Sequence, residues 1–298
     1  MTVGPSTALT MNDLLGDKIH ERTIAAWTLA ALAVALRATD AAADEAACAV
    51  LTAAGLDVDG LDARFREPRA AETSGTLLKA AAIATGQPVS WADQTDEAII
   101  AQGRASGMFT PNFLANLDLM PGMRELLAQP NAAILDVGVG IAGIAVSLAE
   151  ALPTVRVVGI DVLPRVLGLA AQTLAASPAG DRVELRLQSI DRLEDTDRYA
   201  FAWVPSPFIP EVPLVEGLRR VARAVVPGGY VLLPHTRFDG VPLDDAVTRF
   251  QIASYGGTAL DAAQAAEMLR TAGLPVTFAQ PMPAGAPALT IGHRPAAG

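Results

Sequence analysis

The chain has 298 residues, of which 51% are hydrophobic, with a formal net charge of −10 and one cysteine, Cys48. The acidic charge argues against a nucleic-acid partner, because phosphate contacts need clustered lysine and arginine. A single cysteine excludes an intrachain disulfide framework and a cysteine-based zinc site. The longest apolar run, Thr23 to Leu36, is shorter than the roughly 20 residues that span a bilayer, and no export signal is visible. We therefore expect a cytoplasmic protein without a membrane partner.

The first 125 residues read as helical. Helix-forming residues run from Ile19 to about Ala54, with a break near Thr39, and two further helical runs follow, ending near Thr85 and Ala105. No strand-like alternation interrupts them. Apolar helices of this kind most often form a core or a subunit interface. The sequence predicts a helical N-terminal domain over 1–125 that serves dimerisation or covers a substrate site.

From residue 126 the pattern changes to short Val-, Ile- and Leu-rich runs separated by helix-like segments. Such alternation predicts a parallel sheet covered by helices on both faces. The last predicted helix begins at Thr258 as N-cap and ends near Gly273. Two closing runs, "PVTFAQPM" and "PALTIGHRP", are separated by only four residues, which predicts an antiparallel pair. The second domain is thus expected over 126–298.

The stretch "LDVGVGIAG" after the first strand has the spacing Gly138-x-Gly140-x-x-Gly143. Glycines at this position allow a tight turn and a close approach of backbone to a ligand. Asp161 ends the second strand, where a carboxylate can accept both ribose hydroxyls of an adenosine. These features predict a nucleoside cofactor and leave open whether it is NAD or S-adenosylmethionine.

Three further features resemble the class I S-adenosylmethionine-dependent methyltransferases, small-molecule type: Asp136 before the glycines, "LQSIDRL" with Asp191, and the turn Pro227-Gly228-Gly229. The resemblance covers about 102–294. It implies a Rossmann-like α/β fold with a seven-stranded sheet, an antiparallel terminal strand and S-adenosylmethionine as cofactor. One departure is Ala142, where many members carry glycine; alanine is expected to fit with a negative φ. The cofactor-binding residues implied are Arg104, Asp136, Gly138, Gly140, Asp161, Val162, Ser189, Ile190, Asp191 and Pro205.

The acceptor side is predicted from the ends of the fourth and fifth strands. "WVPSPFIP" lacks the polar residue that holds an amide nitrogen in the family's N-methyltransferases, because Pro205 stands there. His235 is a candidate general base at a strand end, and Arg237 could bind a substrate carboxylate. No cluster of ligands suggests a metal. The candidate apolar acceptor-binding residues are Met108, Phe109, Phe113, Trp203 and Phe208.

The leading hypothesis is a homodimeric methyltransferase acting on a small, largely apolar metabolite, at oxygen first and carbon next. Alignment of acceptor and methyl group can supply most of the catalysis without an acid or base. Two alternatives stay open. An NAD(P)-dependent oxidoreductase would explain the glycines and Asp161, and a non-catalytic protein could retain the fold for cofactor binding.

Overall fold

The computed structural model describes residues 11–37, 41–57, 63–107, 109–280 and 288–296. By residue contacts the chain forms two compact units, Met1–Pro88 and Val89–Gly298. In the first unit, helix α1 contacts both other helices. Its helices are α1 (Met11–Arg37), α2 (Ala41–Ala53) and α3 (Ala63–Ala84). The break expected near Thr39 lies outside the described residues.

Helix α1 is more apolar over a longer stretch than the sequence pattern indicated. Its segment Lys18–Arg37, 20 residues with a mean hydropathy of 1.2, has the length and composition of a membrane-crossing helix. Helices that pack against protein can have the same composition. Several large apolar side chains of α1 are exposed on the isolated chain, among them Ile19, Ile24 and Trp27.

The second unit contains a seven-stranded sheet in the order β3-β2-β1-β4-β5-β7-β6, in which β7 runs antiparallel to both neighbours. This confirms the predicted fold class. The order reverses between β1 and β4, which is where open α/β sheets bind ligands at the carboxyl ends of their strands. The strands are β1 (Ala133–Val137), β2 (Arg156–Asp161), β3 (Val183–Leu187), β4 (Tyr199–Trp203), β5 (Val225–His235), β6 (Val276–Gln280) and β7 (Ala288–His293).

Helices cover both faces of the sheet, and successive strand residues point to opposite faces. In β1, Ile134 belongs to the same apolar cluster as Leu148, while Leu135 belongs to the cluster of Leu218 and Leu269 on the other face. All five residues of β1 are buried, as expected for a central parallel strand. The helices are α4 (Asp96–Ser106), α5 (Phe109–Ala115), α6 (Met123–Leu127), α7 (Gly143–Ala151), α8 (Pro164–Ala176), α9 (Glu211–Ala224), α10 (Pro242–Ser254) and α11 (Ala262–Thr271).

The segment 89–125, assigned from sequence to the helical N-terminal domain, packs with the sheet. Helix α4 contacts α7 and α8, and α5 contacts α7. The contact is apolar, because Ile99 of α4 is buried in one cluster with Ile141 and Val166. By contacts, the boundary between the two units falls after Pro88.

The start of α11 also differs from expectation. Thr258 is not its N-cap; the hydroxyl of Thr258 donates to the carbonyl of Ile209 at 2.7 Å. Asp261 caps the helix instead, because its carboxylate accepts from the backbone N–H of Gln264 while the Gln264 side chain accepts from Asp261. This is a capping box, with Asp in place of the usual Ser or Thr.

Candidate active site

A cavity of about 290 Å³ lies at the carboxyl ends of β1, β2 and β4, at the reversal of strand order. Small-molecule sites have volumes upward of roughly 300 Å³ and are mostly apolar, so its size suits a small ligand. The helical segment 89–106 supplies one wall and the strand ends supply the other. Among the described residues, its charged lining consists of two carboxylates, Asp136 and Asp161.

The glycine loop is held in place by the second strand. The backbone N–H groups of Gly138 and Val139 both donate to the carbonyl of Ile160, at 2.9 and 3.0 Å. Gly138 and Gly140 have φ values of 67° and 56°, in the left-handed region that favours glycine. The loop thereby keeps its backbone close to the cavity, as the sequence predicted.

Ala142 contradicts the expectation of a negative φ, because its φ is 65°. It stands at the N-cap of α7 and is fully buried. An alanine in this conformation costs about 1–2 kcal/mol relative to the right-handed region. The turn from loop to helix imposes the conformation whichever residue occupies the position.

Asp161 bridges the glycine loop and the start of α8. One carboxylate oxygen accepts from the N–H of Gly140 at 3.1 Å, and the other accepts from the N–H of Leu163 at 3.0 Å. Burial raises the pKa of Asp161, and the backbone hydrogen bonds act against this rise. The carboxylate lines the cavity and has lone pairs left for ligand hydroxyls, since each oxygen accepts two hydrogen bonds.

Asp136 is a carboxylate buried in the wall of the site. It is 2% exposed, and among the described residues no hydrogen-bond donor reaches its Oδ2. Burial, followed by repulsion from Asp161, raises its pKa to about 7. A buried carboxylate without a donor is costly, so this oxygen would favour a cationic or donating group in the cavity.

The stability of the free protein should therefore depend on Asp136 in a pH-dependent way. Its folded pKa lies above its unfolded pKa, so its contribution to stability is fully present at low pH. That contribution is lost as pH rises from about 4 through about 7. We expect Asp136→Asn to raise Tm relative to the unsubstituted chain more at pH 8 than at pH 5, measured by calorimetry without ligand. An equal difference at both pH values would contradict the assigned pKa.

The third strand end contributes Ser189 and Ile190 to the cavity wall, together with Gln188. Asp191 is not among the lining residues. Its carboxylate accepts from the Ser189 hydroxyl and lies 3.9 Å from Arg192 Nε. The short helical turn at 190–192 directs this carboxylate to its neighbours. Contrary to the expectation, it therefore does not line the cavity.

The acceptor residues predicted from sequence separate into two groups. Phe208 and Trp203 line the cavity, as do Pro205 and Val162, which were predicted to bind the cofactor. Phe109 and Phe113 do not: Phe109 packs behind Trp203 with ring centroids 3.9 Å apart, and Phe113 is a core residue against Phe201. Met108 lies outside the described residues.

Three charged or basic candidates also lie off the cavity. Arg104 is exposed on α4, where its neighbour Gly103 forms the wall. Arg237 is paired with Asp239 at 2.7 Å. His235 is 1% exposed, with Nδ1 3.0 Å from the carbonyl of Thr236 and Nε2 3.0 Å from the Thr290 hydroxyl. Burial lowers the pKa of His235. Since both ring nitrogens are engaged inside the protein, the geometry does not support a general base there.

A structural role for His235 makes a direct prediction. We expect His235→Ala to lower the free energy of unfolding by about 2–4 kcal/mol, because it removes a buried ring and leaves the Thr290 hydroxyl without its partner. The affinity for S-adenosylhomocysteine, measured by calorimetry on the folded fraction, should stay within twofold. A selective loss of ligand affinity with unchanged stability would contradict this role.

Comparison with known proteins agrees with this geometry. Residues 134–229 match the family model described as a methyltransferase domain. This match and the fold support the class I S-adenosylmethionine-dependent methyltransferases as its superfamily. The superfamily's cofactor is S-adenosylmethionine, which favours the methyltransferase over the dehydrogenase hypothesis.

A demethylmenaquinone methyltransferase of Deinococcus radiodurans is 34% identical over 113 residues, which cover 37% of this chain and 45% of that protein. The chain thus spans less than half the length of this curated relative. An O-methyltransferase family protein from Burkholderia thailandensis has a similar fold, with a TM-score of 0.61 at 17% identity, covering 98% of this chain and 100% of that one. The mitomycin 7-O-methyltransferase MmcR gives 0.60 at 17% identity, covering 95% and 98%. At these identities the likeness concerns the fold.

The methyltransferase cavity also contains residues that sequence reasoning missed. The sequence pattern gives no prediction of a site role for Trp91, and it places α4 in the N-terminal domain. Gly103 and Gly143 carried a signal in their size: a Cβ on Gly143 would lie 2.1 Å from the carbonyl oxygen of Gly103. The lining residues not predicted include Trp91, Ile99, Gln102, Gly103, Ser106, Leu163, Val166, Gln188 and Pro213.

Among the described residues, no group of three or more His, Cys, Asp or Glu side chains is arranged to hold a metal ion.

Proposed function

We propose that this chain transfers a methyl group from S-adenosylmethionine to an oxygen atom of a small, largely apolar acceptor. The observation that carries the proposal is the buried Asp136 carboxylate, whose Oδ2 lacks a donor in a cavity otherwise lined mostly by apolar groups. A cationic ligand would compensate this charge. A ligand with a pyrophosphate would add negative charge beside it.

The residues fit the cofactor on chemical grounds. Asp161 would accept the ribose hydroxyls while it keeps the Gly140 and Leu163 hydrogen bonds. Ser189 and Ile190 would contact the adenine, and Asp136 would face the positively charged end of the cofactor. When bound, S-adenosylmethionine supplies an activated methyl group on a sulfonium centre.

The acceptor side is formed by aromatic and proline residues. Trp203, Pro205 and Phe208 would exclude water and orient the acceptor toward the cofactor end. Among the described lining residues there is no histidine, lysine or arginine, so an acceptor carrying a carboxylate or phosphate would find no counter-ion. Proximity and orientation, which can contribute several kcal/mol, would then provide the rate enhancement.

The proposal is tested with S-adenosylmethionine carrying a trideuterated methyl group and a protein-free metabolite extract. We expect the label in one or a few extractable small molecules, with fragmentation that places it on oxygen. Asp161→Ala serves as the control and should transfer far less label. Label on carbon would move the assignment to C-methylation. Tight cofactor binding without any transfer would favour a non-catalytic role.

We also propose a homodimer, supported by the exposed apolar side chains of α1. Light scattering should give twice the mass of the chain. A monomer at micromolar concentration would contradict this part of the proposal.

A further inference from the structure

The Arg165 side chain connects the segment 91–96, which contributes to the cavity wall, to the part of the site assigned to the cofactor. Arg165 donates from Nη1 to the carboxylate of Asp96 at 2.5 Å, and from Nη2 to the carbonyls of Gln94 at 2.5 Å and Ala92 at 3.3 Å. These acceptors lie 69 to 73 residues earlier in the chain. The guanidinium fork thus contacts three points of the segment 91–96.

On the α8 side, this contact begins close to the residues assigned to the cofactor. Arg165 stands in the first turn of α8, next to Pro164. Two residues before it, the N–H of Leu163 donates to Asp161, the carboxylate assigned to the ribose. The position of Arg165 is therefore set by the same hydrogen bonds that shape the cofactor end.

The other end of the contact includes Ala92, the residue next to Trp91. The Trp91 ring meets Phe208 edge-on, with centroids 5.2 Å apart, and lies 6.4 Å from the Tyr255 ring. Both Trp91 and Phe208 line the cavity. They come from distant parts of the chain, since Trp91 precedes α4 and Phe208 follows β4.

The ion pair between Arg165 and Asp96 contributes little to the stability of the fold. The side chains of Arg165 and Asp96 are 45% and 48% exposed, and pairs this exposed contribute at most about 1 kcal/mol. The geometry is specific, however, because three acceptors in one fork require a guanidinium.

We propose that Arg165 is a positioning residue for the acceptor side: it holds the segment 91–96 so that Trp91 and Phe208 together form the wall that the acceptor meets. The inference rests on the proposed function for the identity of the acceptor side. The contact itself is independent of that function. Loss of Arg165 frees Trp91 and weakens acceptor binding while the cofactor site stays intact.

The first test measures the accessibility of Trp91 without any ligand. Acrylamide quenching is recorded for each protein and for its Trp91→Phe counterpart, so that the difference reports Trp91 alone. We expect Arg165→Met to raise the Trp91 quenching constant at least twofold and Arg165→Lys to restore part of the protection, because the lysine keeps the charge opposite Asp96. Arg124→Met is the matched control, since its pair with Asp118 is also exposed and lies off the cavity.

The second test separates the acceptor from the cofactor. With the labelled cofactor and the extract, Arg165→Met should lose at least fivefold in transfer at the extract dilution that half-saturates the unsubstituted chain, and less than twofold at saturating extract. The Kd for S-adenosylhomocysteine should stay within twofold. If Arg165→Met does not fold, Asp96→Asn breaks the same contact from the other side and should show the same direction.

The outcomes are distinct. Unchanged Trp91 quenching in Arg165→Met, or an equal rise in Arg124→Met, overturns the proposal, as does an equal loss of transfer at both dilutions. A chain that binds no S-adenosylhomocysteine and transfers no label contradicts the proposed function, and the quenching result then still decides whether Arg165 positions Trp91.

Discussion

Asp161→Ala should weaken binding of S-adenosylhomocysteine at least tenfold, which corresponds to about 1.4 kcal/mol. Two causes add. The ribose hydroxyls lose a charge-assisted acceptor, and the N–H groups of Gly140 and Leu163 lose the carboxylate that joins the glycine loop to α8. Isothermal titration calorimetry on the purified chain measures the effect directly.

Two companion variants sharpen this experiment. Asp118→Ala removes an exposed carboxylate that pairs with Arg124, and its affinity should match that of the unsubstituted chain. Asp161→Asn keeps an acceptor oxygen and should fall between the two. Unchanged affinity in Asp161→Ala would refute the assignment of the ribose site.

Gly143→Ala should lower the free energy of unfolding by about 1–3 kcal/mol, the usual cost of forcing an extra group into a packed region. A Cβ there would meet the carbonyl oxygen of Gly103 at 2.1 Å. Backbone cannot rotate away as a side chain can, so α4 must shift from the glycine loop. Since Gly103 and Gly143 both line the cavity, affinity for S-adenosylhomocysteine should fall as well.

The chain provides a matched control in Gly168, which lies in α8 with no atom within 4 Å of an added Cβ. Gly168→Ala should raise the free energy of unfolding by about 0.5–1 kcal/mol, because alanine is the better helix former. Urea unfolding of both variants gives the comparison. A Gly143→Ala protein as stable as the control would show that α4 does not pack on the loop as described.

The sheet could be predicted from sequence because its signals are local. Buried parallel strands appear as continuous apolar runs, the glycines follow β1, and Asp161 ends β2. Their positions at one sheet edge follow from topology. Asp136, Gly138, Gly140 and Asp161 consequently line the cavity as expected.

The remaining site residues depend on packing between distant segments, which local pattern does not encode. Trp91 reaches the cavity only because α4 docks on the glycine loop and Arg165 holds the segment before it. His235 ends β5, as predicted, but its ring nitrogens contact the carbonyl of Thr236 and the hydroxyl of Thr290. A strand end predicts which edge a residue occupies and does not predict where its side chain points.

The central claim is that the cavity binds S-adenosylmethionine through Asp136 and Asp161. Calorimetric titration of one preparation with S-adenosylhomocysteine and, separately, with NAD tests it most directly. We predict saturable one-site binding of S-adenosylhomocysteine that is at least tenfold weaker in Asp161→Ala, and no detectable binding of NAD. Binding of NAD alone would contradict the claim.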